Sequence, residues 1–253
     1  MVPSLKAHRM VKMEKKVDID IIAFSPHPDD AEMGCGGLLL KSKDKGYSIG
    51  IVDITRAELS TNGDLETRAK EIVEASKILK LDLRENLELE DANIRNDYES
   101  RLKVIGAIRR YRPKMVLIPY FTDRHPDHEN SYKLLKDAIF ISGLPKFKNG
   151  MDFYRPKIVL NYMLHHEFKP SFIVDISGYY DNKFKAVAAY KSQFYSDVKK
   201  KIMTHIASKH FSDIINIRHR YLGLKIMAEF GEAYHIDTIV KIDDPVKYFD
   251  YLS

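Results

Sequence analysis

Two short runs carry most of the chemistry this chain can offer, His27-Pro28-Asp29-Asp30 and His125-Pro126-Asp127-His128. Together they bring three histidines and three aspartates, a set of imidazoles and carboxylates that suits zinc. A catalytic zinc site uses three protein ligands and keeps one position open for water. Six candidate groups exceed three, which leaves members free for proton transfer. Such a site is equipped for hydrolysis, because a metal lowers the pKa of water and polarises a carbonyl while a nearby carboxylate takes the proton. A His–Asp pair can also hold a proton near neutral pH. Taken singly, each run has a plainer explanation: Asp before a helix is a good N-cap, and H-P-D is an ordinary turn. Two such runs at strand ends of one sheet leave that explanation little room.

The elements around the runs must bring them together. Asp20 to Ser25 (D-I-I-A-F-S) reads as a buried strand before the first run, and Lys114 to Pro119 (K-M-V-L-I-P) as another before the second. Further strands are expected over Tyr47 to Ile54 and Leu83 to Leu87. Helices are expected over Gly34 to Lys45, Asp64 to Leu79, Tyr98 to Arg110 and Glu129 to Ile141. In the second of these Ile72, Val73, Ile78 and Leu79 recur near the 3.6-residue period. This alternation predicts an α/β fold, a Rossmann-like doubly wound, mostly parallel sheet with helices on both faces. With strand order 3-2-1-4, the first and fourth strands adjoin at the switch point, and loops about 100 residues apart face one cleft. The later chain predicts strands over Lys157 to Met163 and Phe172 to Ile176. Helices follow over Tyr179 to Lys191, Asp197 to His210 and Ile217 to Ala228. No Pro/Gly/Ser linker divides the chain, so residues 18–253 read as a single domain. Residues 1–17 read as a solvated N-terminal extension, with Lys6, Arg9, Lys12, Lys15 and Lys16 and without the apolar segment of a secretory signal.

Bulk properties narrow the function classes. Of 253 residues, 44% are hydrophobic and 30% charged, enough apolar content for a sizeable core. No apolar stretch is long enough to span a membrane. The lone Cys35 permits no intramolecular disulfide, and a reducing cytoplasm is expected. The formal charge of +5 is spread along the chain, so no nucleic acid partner is expected. Lys199-Lys200-Lys201 reads as a solvated helix face. Gly34-Cys35-Gly36-Gly37 hints at a nucleotide loop, but Leu39 stands where the third glycine belongs. Close helix–sheet packing accounts for these glycines better, and Cys35 reads as a buried, inert thiol. There is no G-x-S-x-G nucleophile elbow.

At these residues the sequence resembles the LmbE-like (PIG-L) deacetylase family. The likeness lies in A-F-S-P-H-P-D-D-A-E-M-G-C-G-G (Ala23 to Gly37), V-D-I-T-R-A-E-L-S-T-N-G (Val52 to Gly63) and P-Y-F-T-D-R-H-P-D-H (Pro119 to His128). It extends from about Asp18 to Tyr234. It looks closest to the bacillithiol-biosynthesis deacetylases through A-I-F-I-S-G-L-P-K (Ala138 to Lys146), F-K-P-S-F-I-V-D-I-S (Phe168 to Ser177) and A-Y-K-S-Q-F (Ala189 to Phe194). The resemblance implies removal of acetyl from N-acetylglucosaminyl-malate, with Zn2+ or Fe2+ as cofactor and a homo-oligomer, a hexamer in many members. It implies His27, Asp30 and His128 as metal ligands and Asp29 as general base. His125 would stabilise the oxyanion or protonate the leaving amine, oriented and kept charged by Asp127. Arg68, Arg124 and Gln193 would touch substrate. The competing readings are a deacetylase for another N-acetyl sugar, such as a chito-oligosaccharide, and a non-catalytic metal- or nucleotide-binding module in which Asp29 is dispensable.

Overall fold

The computed structural model describes residues 18–196 and 200–250. The expected N-terminal extension therefore lies outside the described residues, as does Lys199 of the lysine run. The first half alternates as the sequence predicts: β1 (Ile21–Ser25), α1 (Asp30–Asp44), β2 (Ile49–Thr55), α2 (Leu65–Leu79), β3 (Leu83–Leu89), α3 (Tyr98–Tyr111), β4 (Met115–Pro119) and α4 (Pro126–Ser142). The second half holds β5 (Ile158–Tyr162), β6 (Phe172–Asp175), α5 (Tyr180–Ala188), α6 (Lys209–Leu224), β7 (Gly231–His235) and α7 (Pro245–Phe249).

The strands form one seven-stranded sheet in the order β3-β2-β1-β4-β5-β7-β6. All pairings from β3 to β5 are parallel, and β7 runs antiparallel to both β5 and β6. The strands β1 and β2 are buried along their whole length, as a sheet covered on both faces requires. Successive residues feed opposite layers. Ile21 and Ala23 join Leu39, Leu79, Val187 and Phe211 in one core, while Ile22 and Phe24 join Val104, Ile108, Leu134 and Ala138 in the other. The mostly parallel α/β sheet and the central order 3-2-1-4 match the expectation.

One helix expected over Asp197 to His210 is absent among the described residues, the one expected over Ile217 to Ala228 starts and ends earlier, and one strand is unforeseen by the sequence. No helix spans residues 200–208, which are irregular with turns, and α6 begins only at Lys209 and ends at Leu224. Lys200 and Lys201 therefore lie on an irregular segment and not on a helix face. The strand β7 has little sequence signal: G-E-A-Y-H carries a charged residue at its second position, so its alternation is weak. That Glu232 is nonetheless almost fully buried, held by Lys183 Nζ at 2.6 Å, Tyr234 Oη at 2.7 Å, and the Gly37 and Leu38 amides at 2.7 Å each. The glycines of α1 are packing residues. A Cβ on Gly34 would stand 2.2 Å from the Tyr162 ring, and one on Gly37 would stand 2.8 Å from Glu232 and Ile176. All four residues 34–37 lie inside the helix, so no nucleotide loop forms there.

His219 completes this buried cluster, its Nε2 lying 2.7 Å from Lys183 Nζ and its Nδ1 2.7 Å from Ile215 O. Burial and the charges of Lys183 and Arg218 hold it well below its ordinary pKa of 6.5. The folded chain thus keeps His219 neutral where the unfolded chain protonates it, and unfolding takes up a proton. This contribution to stability is full above pH 6.5 and falls as the pH drops below it. Urea unfolding between about pH 5 and 7 should show a slope shallower by up to about 1.4 kcal/mol per pH unit in His219→Gln than in the parent protein. Equal slopes would remove His219 from the account of acid sensitivity.

Candidate active site

β1 delivers the first motif at its carboxyl end. Ser25 Oγ donates to His27 O at 2.6 Å and accepts from Ala31 N at 3.0 Å, which closes the turn. His27 N donates to Asp30 Oδ2 at 3.0 Å. Asp29 occupies the N-cap position of α1 but makes no capping bond, and its backbone sits at φ 133°. A non-glycine residue there stores on the order of 1–3 kcal/mol of strain. The plain N-cap explanation therefore fails for Asp29: its carboxylate turns into the cleft, where Arg68 Nη1 meets it at 2.9 Å.

The second motif starts α4. His125 is its N-cap, with Nδ1 accepting from Asp127 N at 3.3 Å, and Pro126 fills the first helical turn. His128 points inward, almost fully buried, and its Nε2 lies 3.2 Å from Asp30 Oδ2. The same Asp30 oxygen lies 3.1 Å from His27 Nδ1. Two imidazole nitrogens and one carboxylate oxygen from two loops thus converge on one point. Two His with one Asp is a donor set whose chemistry fits a catalytic zinc. His125 brings a third imidazole, with donor atoms of His27, His125 and His128 all within 4.8 Å of one another.

The donor groups are held from behind. His27 Nε2 lies 3.2 Å from Asp91 Oδ1 and 3.3 Å from Asp127 Oδ2. Asp91 is fixed by Leu59 N at 2.8 Å, and Asp127 by Ala92 N at 2.7 Å. His128 Nδ1 lies 3.0 Å from Asp123 Oδ1, and the other Asp123 oxygen accepts from the His165 and His166 amides at 2.9 and 3.1 Å. Such carboxylates fix the ring and its tautomer, leaving the far nitrogen for a metal. Asp127 meets His125 only through its backbone amide. Its side chain instead faces His27 and the amides of residues 92 and 94, because the first turn of α4 directs it to the neighbouring loop.

The charges follow from this packing. Burial opposes charge on His27 and on His128, but their carboxylate partners outweigh it, raising His27 well above 6.5 and His128 to about 9. Asp30 is also buried, yet the two histidines hold it well below 3.8. Burial raises Asp29 to about 7, with Arg68 pulling the other way. Burial lowers His125, and the positive charges of His27 and His128 lower it further. The Asp30 and Asp127 charges oppose this lowering, Asp127 in the direction expected of it, without outweighing burial. With Nδ1 engaged as an acceptor, the neutral ring carries its proton on Nε2.

A cavity of about 330 Å³ opens over this floor, lined also by Leu59, Arg124, Gln193, His205 and Ile206. Of the expected substrate contacts, Arg124 is exposed at the rim. Arg68 is buried and committed to Asp29, Pro28 O at 2.6 Å and Ser60 Oγ at 2.7 Å. Gln193 reaches the cavity, but its Nε2 is spent on Asn62 O at 2.7 Å and Ser192 Oγ at 2.8 Å. Sequence reasoning misses Asp91, Asp123 and His165. Asp123 in T-D-R-H and the His165-His166 pair after a strand are visible signals, whereas Asp91 in E-D-A-N offers none.

Residues 22–139 match the PIG-L family, described as GlcNAc-PI de-N-acetylase. The diacetylchitobiose deacetylase of Thermococcus kodakarensis is 31% identical over 201 residues, covering 70% of this chain and 71% of that protein. The chain belongs to the PIG-L deacetylase family. Among solved structures, the conserved protein TT1542 of Thermus thermophilus superposes with a TM-score of 0.81 at 36% identity, over 89% of this chain and 98% of its own. The N,N'-diacetylchitobiose deacetylase of Pyrococcus horikoshii, bound to its inhibitor, gives 0.75 at 26% identity, over 86% and 83%. The paired motifs of this PIG-L chain thus sit in a fold that its relatives share over most of their length.

Metal analysis of the dialysed protein should find one equivalent of a divalent transition metal, lost in Asp30→Asn and in His128→Ala. Asp91→Asn should keep the fold but bind about 10- to 100-fold more weakly in chelator competition. Undiminished metal in Asp30→Asn would remove the shared carboxylate from the ligand set.

Proposed function

We propose that this PIG-L family member is a metal-dependent hydrolase that removes the acetyl group from an N-acetylglucosamine conjugate, with N-acetylglucosaminyl-malate as its substrate. The observation that carries the reading is the meeting of His27 Nδ1 and His128 Nε2 at Asp30 Oδ2, beside a second carboxylate, Asp29, that is paired with Arg68 yet raised to about 7. His27, Asp30 and His128 would hold the ion, zinc by preference and ferrous iron as the other fit for two imidazoles and a carboxylate. When bound, it supplies Lewis acidity, lowering the pKa of water and polarising the acetyl carbonyl.

The chain's own residues do the rest. Asp29 faces the cleft and takes the proton from the attacking water, a task suited to a base with a pKa near the working pH. Arg68 fixes the carboxylate against Pro28 and keeps enough of it ionised. As the carbonyl carbon becomes tetrahedral, negative charge gathers on its oxygen, and the Nε2–H of His125 is a preorganised donor for it. The proton held by Asp29 then passes to the nitrogen, the C–N bond breaks, and acetate and a free amine leave. Arg124, an exposed cation at the rim, suits the carboxylates of malate. The similarity to diacetylchitobiose deacetylases favours a second reading, in which the conjugate is a second sugar.

No described helix is long and apolar enough to cross a membrane. The buried, single Cys35 suits a reducing cytoplasm. Assembly into a homo-oligomer, a hexamer on the resemblance, belongs to the same proposal.

Acetate release should be measured from N-acetylglucosaminyl-malate, diacetylchitobiose and free N-acetylglucosamine. The malate conjugate should turn over fastest, and Asp29→Asn should lower kcat by about 100-fold or more with metal retained. Preference for diacetylchitobiose would select the second reading. No acetate from any of the three, with metal bound, would sink the deacetylase assignment. Arg68→Met removes the charge that restrains Asp29, so the acid limb of kcat/KM should move to higher pH. A limb that stays in place would separate Arg68 from the base.

A further inference from the structure

Thr204, His205 and Ile206 form one wall of the cavity, although they belong to an irregular stretch remote in sequence from both motifs. Asn62 holds that stretch. Its Nδ2 donates to Ile202 O at 2.8 Å, and its Oδ1 accepts from the Lys201 and Ile202 amides at 3.1 Å each. The residue is only 6% exposed, so these bonds compete little with water.

Asn62 is itself braced. Its carbonyl accepts from Gln193 Nε2, which also reaches Ser192 Oγ, and Ser192 donates through N and Oγ to the Glu71 carboxylate at 2.6 and 2.7 Å. Gly63 follows at φ +78°, where a Cβ would stand 2.9 Å from Ser192. A buried polar chain therefore runs from α2 through Ser192, Gln193 and Asn62 to the wall. None of these groups reaches the metal donors, so their work lies at the other end of the cavity.

The acetamide must lie against Asp29, His125 and His128 on the buried floor. The remainder of the conjugate must then leave past the exposed residues. There Leu59 is 67% exposed on one side, and Ile202 and Met203, which lead into the wall, are 55% and 70% exposed.

We infer that Thr204, His205 and Ile206 form the wall that contacts the group linked to the sugar, and that Asn62, by holding Lys201 and Ile202 just before them, is the positioning residue setting that wall against the catalytic floor. The inference rests on the deacetylase reading above. Loosening the wall withdraws contacts from the linked group in ground and transition state alike, which raises KM without lowering kcat. Free N-acetylglucosamine does not reach the wall and is indifferent to it.

The test compares wild type, Asn62→Ala and Asn62→Asp on the preferred conjugate and on free N-acetylglucosamine. Asn62→Ala should raise KM for the conjugate by about tenfold, change kcat by less than about twofold, and leave KM for N-acetylglucosamine unchanged. Asn62→Asp keeps the acceptor for two amides and should recover part of the loss. Without substrate, trypsin should cut after Lys200 and Lys201 several times faster in Asn62→Ala, at unchanged melting temperature. Equal losses on both substrates, a fall confined to kcat, or an unchanged cleavage rate would overturn the proposal. Wild type that releases no acetate from any sugar sinks the deacetylase reading and this proposal with it. Acetate release with an unselective variant overturns this proposal alone.

Discussion

One carboxylate oxygen joins the two halves of the site. Asp30 Oδ2 lies within 3.2 Å of a nitrogen on His27 and of a nitrogen on His128, residues that follow the first and fourth strands. That contact exists only because β1 and β4 are hydrogen-bonded neighbours, with Ile21 beside Met115 and Ala23 beside Leu117. The parallel pairing brings both carboxyl ends to one rim of the sheet, and each helix start then turns its motif over the same cleft. A slip of one residue in either strand would exchange the two core layers and carry the histidines apart.

Charges of this density survive burial only in company. On the floor, three carboxylates surround His27, and Asp123 stands behind His128. Beneath the first motif, Arg84 grips Asp53 with two nitrogens at 2.9 Å and Glu32 at 2.5 Å, while Tyr190 Oη donates to Glu32 at 2.7 Å. Glu32 lies two residues beyond Asp30, so this network fixes the first turn of α1 from behind. Removing one partner of such a buried group leaves the other unpaired, which costs more than the pair itself contributes. The cluster of Lys183, Glu232 and His219 does the same at the far side of α1, tying it to α5, α6 and β7.

Asp29 departs from this pattern. Asp30, Asp91, Asp123 and Asp127 are all drawn below their ordinary pKa by their partners, whereas Asp29 is raised to about 7 despite Arg68. Burial raises it, the neighbouring Asp30 charge adds to the rise, and Arg68 only partly offsets them. The same chain segment therefore supplies two adjacent aspartates with opposite properties, one suited to binding a cation and the other to accepting a proton.

Much of this was legible in the sequence. Apolar runs of strand length, alternating with helical periods and punctuated by Gly46, Asn62-Gly63 and Pro113, define the parallel sheet, and the two motifs mark the PIG-L deacetylase family. The sequence also explained Gly34 and Gly37 as packing residues, because a missing third glycine is a local fact. What it could not contain is partnership between side chains. That the Asp127 side chain serves His27, that Arg68 and Gln193 are spent on the protein, and that Asp91 stands behind His27 were decided by contacts between segments far apart in the chain. β7 and the irregular stretch at 200–208 escaped for a related reason. Their local propensities are weak, and a buried glutamate in one and an asparagine from another loop hold them in place. Local residue types determined which elements form and what chemistry is on offer; only the tertiary structure, through directional hydrogen bonds and desolvation, decided which group faces which.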